Sequence, residues 1–140
     1  MISHRGFNSF LAALSLLLLV SCANKSAQST QEQKARLCTD LARFDTALAT
    51  LKSMGPNSTV GDFKKADNQV RATFSDVTKS AQKVQDAKTA DLQRAYDNLE
   101  KAIRSIPNTA TLRQAGASIS GKVAAVQAAE AQMRSNVSCT

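Results

Sequence analysis

From about residue 30 to the end of the chain, apolar side chains return every three or four positions. Leu37, Leu41, Phe44, Leu48 and Leu51 form the first such series. An α-helix turns once in 3.6 residues, so this spacing lays one apolar stripe along one side of a helix. A strand would need strict alternation of β-branched or aromatic residues, and no such run occurs. The chain is therefore expected to be all-α, an antiparallel helical bundle. What remains open is how many helices it contains and where they turn.

The two prolines set the first limits. Met54-Gly55-Pro56 ends the first series: Gly55 suits the left-handed position after a helix, and Pro56 cannot continue one. Ser29 with Glu32, and Thr30 with Gln33, have the spacing of a capping box and place the helix start there. Thr59 with Asp62 restarts the helix, and Phe63, Ala66, Val70, Phe74, Val77, Ala81 and Val84 continue the stepping. The stripe then slips in phase to Leu92, Ala95, Leu99, Ile103 and Ile106. Residues 85–90 bridge the two phases without Gly or Pro, and Thr89 is the one candidate cap. Pro107-Asn108 closes that region. Thr111 with Gln114 opens the last helix, whose stripe is Leu112, Ala115, Ile119, Val123, Val126, Glu130, Met133 and Val137. Glu130 is its one polar member. Gly116 and Gly121, with their Ala and Ser neighbours, make a surface of small residues that lets another helix come close.

Two architectures satisfy this pattern. A break at 85–90 gives four helices in up-down-up-down order, the arrangement favoured here because a compact bundle hides narrow, Ala-rich stripes best. A continuous helix over 60–106 gives three, with a central rod about 70 Å long. Acid-first pairs four apart, such as Glu32–Arg36, Asp67–Arg71, Asp97–Lys101, Glu100–Arg104 and Glu130–Arg134, support individual helices and are expected on solvated faces.

The first 22 residues follow a different logic. A short basic start carrying His4 and Arg5 leads into Phe10–Val20, eleven residues with Ser15 as the only polar one. A helix needs about 20 apolar residues to span a bilayer core, so this run is too short, but it has the length of a secretory h-region. It ends in Leu19-Val20-Ser21-Cys22. That order of aliphatic, small and Cys residues resembles the lipobox of bacterial lipoproteins. The resemblance implies a cut between Ser21 and Cys22 and a diacylglyceryl group on the Cys22 sulfur, with acylation (palmitate among the common chains) of the new amino terminus. It divides the chain into a signal peptide over 1–21, a lipid-anchored tether over 22–29 and a helical bundle domain over 30–140. In the precursor, residues 7–20 would be helical and unpacked. Ala23 after the Cys implies retention at the outer membrane, facing the periplasm, in a host with two membranes.

If Cys22 carries lipid, Cys38 and Cys139 remain as an even pair in an oxidising compartment. A disulfide between them fits both architectures. It excludes three equal short helices, which would put the two residues at opposite ends. Beyond the lipobox, the mature part is loosely similar to small helical lipoproteins or secreted proteins with a Cys near each end of the folded part.

The same sequence narrows the chemistry. Its single His lies at position 4, inside the expected signal. The mature part thus lacks the residue used in Ser-His-Asp catalysis, in imidazole acid–base work and in the common zinc sites. No glycine-rich phosphate loop is present. No catalytic, cofactor or metal residue is assigned. Removal of Arg5 lowers the formal charge from +7 to +6, without a basic block or interleaved aromatics of the kind that binds nucleic acid. The mild basic excess suits an anionic envelope surface. The expected role is a lipid-anchored envelope protein with a structural or binding function, its partners being the membrane through Cys22 and an undefined protein. An envelope enzyme's regulatory subunit and a carrier of an apolar ligand within the bundle are the alternatives.

Overall fold

The computed structural model describes residues 21–140, with side chains from residue 29; residues 1–20 of the expected signal peptide, including 7–20, lie outside the described residues. Four helices make up the fold: α1 (Ser21–Lys52), α2 (Val60–Ala81), α3 (Ala90–Arg104) and α4 (Leu112–Asn136). Among the described residues there is no strand. Neighbours run antiparallel. Asp40 meets Ser80 and Phe44 meets Phe74 across α1 and α2. Arg71 meets Glu100 across α2 and α3, and Asp45 meets Gln127 across α1 and α4. The order is up-down-up-down, and α4 returns to pack along α1.

The apolar stripes are the core. Leu37, Leu41, Phe44, Leu48 and Leu51 are fully buried, as are Val70, Leu99, Val123 and Val126. Phe44, Phe74 and Tyr96 fill the centre. Phe74 and Tyr96 stack with ring centroids 3.7 Å apart and planes 7° from parallel, and Phe44 leans on both rings from α1. Val60 is the only large apolar side chain exposed among the described residues. Many threonines sit inside these helices without breaking them, because their hydroxyls bond back one turn. Thr39, Thr46, Thr73 and Thr78 donate to the carbonyls of Ala35, Ala42, Gln69 and Phe74.

The helix ends show which local signals acted. Two of the expected capping boxes open their helices: Thr59 accepts from the Asp62 amide and Asp62 accepts from the Thr59 amide, with Thr111 and Gln114 doing the same for α4. The Thr59 amide and hydroxyl hold the Asp62 carboxyl below its ordinary range. Gly55 stops α1 without taking a left-handed conformation, since no glycine of the described residues has positive φ. Its amide instead donates to Ser58 Oγ at 3.2 Å, and its carbonyl accepts from the Ser58 amide at 3.0 Å. The start of α1 is a further correction. Ser29 and Thr30 do not open the helix, because α1 already runs from Ser21 through the stretch expected to be a tether.

The bridge over 82–89 is a true break. Lys83, Val84 and Ala87 donate to the carbonyls of Ser80, Ala81 and Val84, a chain of tight three-residue turns. Val84 is buried and Ala87 packs against the core, so apolar anchoring turns the chain where neither Gly nor Pro is present. Thr89 occupies the position before α3 and its carbonyl accepts from the Gln93 amide, but its side chain makes no cap. The small surface of α4 divides. A Cβ on Gly116 would stand 3.4 Å from the Met54 carbonyl, so the turn that follows α1 does approach closely there, whereas Gly121 faces open space.

Candidate functional site

Cys38 and Cys139 form a disulfide, with Cα atoms 5.6 Å apart. The end of α4 delivers Cys139 to its partner through a specific turn. Ser138 takes a left-handed conformation (φ 56°), its amide donates to Ser135, and the Cys139 amide donates back to Arg134. This pair of bonds satisfies the last carbonyls of α4 and folds the chain back toward α1. Cys22 lies in the first turn of α1, fourteen residues ahead of Arg36. At 1.5 Å per residue, the helix before Arg36 extends about 21 Å beyond the disulfide end of the bundle.

Beside that end, α1 and α2 enclose a surface cleft of about 300 Å³. Arg36 and Arg43 line it from α1, and Lys79 and Lys83 from α2. Its floor is polar: Asp40, nearly buried, accepts a hydrogen bond from the Ser80 hydroxyl, whose oxygen also lies 2.8 Å from the Asp76 carbonyl. Arg43 stands 4.0 Å from Asp40, and Lys79 stands 3.7 Å from Asp76. Among the described residues, Arg36 and Lys83 have no carboxylate within 4.0 Å. The first acidic residue of the chain is Glu32, so the stretch before it holds none to offer. Four cations thus face two carboxylates. A second cleft of about 450 Å³ continues the same seam past Arg43 and is lined otherwise by uncharged groups, Thr46, Ala47, Thr50 and Gln69.

Two further acids lie inside the bundle. Glu100 on α3 accepts from the Tyr96 hydroxyl at 3.0 Å, and its other oxygen meets Arg71 at 3.0 Å and Arg104 at 3.2 Å. Asp67 holds Arg71 from the opposite side at 3.0 Å, while its second oxygen is buried with no partner among the described residues. Burial pushes the Tyr96 phenol well above its ordinary range, and the Glu100 charge adds to the shift. Burial works against the Arg71 charge, yet Asp67 and Glu100 outweigh it and raise its pKa. Glu130 is buried in the α4 stripe, 3.4 Å from Arg134. Burial raises its pKa, Arg134 opposes the shift, and nearby Asp45 adds to it.

The expectation that the acid-first pairs sit on solvated faces thus fails for Glu100 and Glu130. Asp67–Arg71, Glu100–Arg104 and Glu130–Arg134 form; Asp97 instead accepts from Gln93. Glu130 stands on the apolar stripe in the sequence, which is the signal that it would be buried. Tyr96 four residues before Glu100 is the corresponding signal for Glu100. Nothing local pairs Asp40 with Ser80, forty residues away. Among the described residues no group of three or more His, Cys, Asp or Glu could hold a metal ion, and no helix is long and apolar enough to cross a membrane.

No family model, curated protein or solved structure matches this chain.

Proposed function

We propose that this chain is a lipid-anchored protein of a bacterial cell envelope, held to the membrane through acyl groups on Cys22. Its helical bundle serves a structural or binding role and not a catalytic one. The observation that carries this reading is how the three cysteines divide. Cys38 and Cys139 are joined, a pairing that persists in oxidising compartments outside the cytoplasm, and Cys22 is left as the one thiol for modification. It stands directly behind the short apolar run and the Leu19-Val20-Ser21 residues that resemble a lipobox. One acyl chain gives only marginal anchoring, since each buried CH₂ contributes about 0.8 kcal/mol; a diacylglyceryl group with a further acyl chain holds firmly. Ala23 favours the outer membrane where two membranes exist. The basic cleft supplies a binding surface for an anionic partner.

A fatty-acid probe fed to expressing cells tests the anchor. Label should enter the chain and be lost in Cys22→Ala; label that persists in Cys22→Ala would sink the proposal.

A further inference from the structure

We propose that the α1–α2 seam is the membrane-facing side of the bundle, and that Arg36, Arg43, Lys79 and Lys83 grip the phosphates of anionic phospholipids in the bilayer to which Cys22 is anchored. The orientation rests on the lipid anchor proposed above; the chemistry of the cleft does not.

Three observations lead here. The first is charge. Four cations line one cleft against two carboxylates, and Arg36 and Lys83 have no carboxylate within 4.0 Å among the described residues. An anion from outside the chain is the partner that completes them. Asp40 does not cancel this, because it is turned into the floor and engaged by Ser80.

The second is register. Arg36 and Arg43 follow Cys22 by 14 and 21 residues in one continuous helix. Both intervals are whole heptads, and an α-helix drifts only about 20° per heptad. The position that takes the lipid and the two arginines therefore share one side of α1. An upright α1 would lift the cleft about 21 Å from its anchor point, beyond the screening length of about 8 Å at physiological salt. A bundle lying on its α1–α2 side brings cleft and anchor to the surface together.

The third is the rest of that side. The seam continues past Arg43 into the uncharged cleft at Thr46, Ala47, Thr50 and Gln69, which sets no acid against a negative surface. The arrangement is a two-signal anchor: acyl chains for depth, and cations for orientation.

The test uses the full mature chain purified from expressing cells and reconstituted in two sets of vesicles, phosphatidylcholine alone and phosphatidylcholine with phosphatidylglycerol. An amine-reactive reagent reads Lys79 and Lys83, with Lys122 on α4 as the internal control. A cation near an anionic bilayer gains about 1 kcal/mol, which corresponds to roughly a fivefold change. Lys79 and Lys83 should therefore react roughly fivefold more slowly on phosphatidylglycerol vesicles, with Lys122 unchanged. High salt, or Arg36→Gln with Arg43→Gln, should restore the rate. Equal rates on the two lipids would overturn the proposal. So would equal protection by inorganic phosphate on the neutral vesicles, which would make the cleft a site for a soluble anion. Failure of the anchor reads separately: the chain would not sediment with phosphatidylcholine vesicles, whatever its lysines do on anionic ones.

Discussion

Along the α1–α4 seam the two helices pack together, Gly116 admits the turn that follows α1, and a disulfide closes the far end. Along the α2–α3 seam the backbones approach less closely than in the other neighbouring pairs. Long side chains span that gap: Phe74 stacks on Tyr96, Tyr96 donates to Glu100, and Glu100 takes Arg71 from across the seam. The first seam is closed by one glycine, the Asp45–Gln127 hydrogen bond and a covalent bond, and the second by bulk and charge. Small residues let helices meet through backbone proximity, whereas a wider gap has to be filled by side chains whose polar ends find each other. The second solution is the more exposed to mutation, because each member of a buried polar network depends on the others. Asp67, with one buried oxygen that has no partner among the described residues, shows its cost.

The largest effect should come from opening the first seam. Cys38 and Cys139 are 101 residues apart, and the chain-entropy model gives about 4–5 kcal/mol for closing such a loop. Urea unfolding of the Cys38→Ala, Cys139→Ala double variant should show a loss of that order. A loss near zero would mean that packing along α1–α4 holds the seam without the bond.

Breaking the second seam should cost less. Glu100→Ala strands the Tyr96 hydroxyl and leaves Arg71 with Asp67 alone. A fully buried pair broken this way costs about 3–5 kcal/mol, but the Arg71 side chain is 42% exposed and can turn to water, so about 2–3 kcal/mol is expected. If Glu100→Leu proves as stable as the original chain, the network serves specificity more than stability.

Glycine substitutions along α4 sharpen the contrast further. Gly121→Ala should stabilise by about 1 kcal/mol in thermal unfolding, since its Cβ meets nothing. Gly116→Ala should gain less, because its Cβ presses toward the Met54 carbonyl. Ser138→Gly should also stabilise, by about 1 kcal/mol, by relieving a left-handed non-glycine residue.

The smallest effect is one of pH, on Glu130. Its pKa is raised in the folded chain, so the folded state holds the proton more tightly than the unfolded state does. The stability this contributes is complete below the unfolded pKa and is lost as pH rises through the folded value. Glu130→Gln should therefore be relatively more stable at pH 7 than at pH 4, measured as the difference in urea midpoints between the two chains. A difference that does not change with pH would place Glu130 in water.

What the sequence made legible follows from which forces act locally. The stripes, Thr59 with Asp62, and Thr111 with Gln114 are short-range patterns, and they appear in the structure as expected. The four-helix order is favoured over a continuous helix at 60–106 because a compact bundle hides the Ala-rich stripes best, although no breaker residue marks the turn between Val84 and Leu92. What was not legible depends on distant partners. Asp40 finds Ser80 only after α1 and α2 pack, and Arg71 finds Glu100 only after α3 turns back. Gly55 ends its helix through Ser58 and not through its own conformational freedom. The start of α1 was missed because two correctly spaced caps, at Ser29 and Thr30, lie within a helix that extends past them.

One measurement reaches the centre of this account: the intact mass, without reductant, of the chain extracted from the membranes of expressing cells. The account predicts residues 22–140 carrying a diacylglyceryl group and a further acyl chain on Cys22, and lacking the two hydrogens removed by the Cys38–Cys139 bond. A chain with an unmodified Cys22, or with Cys38 and Cys139 as free thiols, would contradict it.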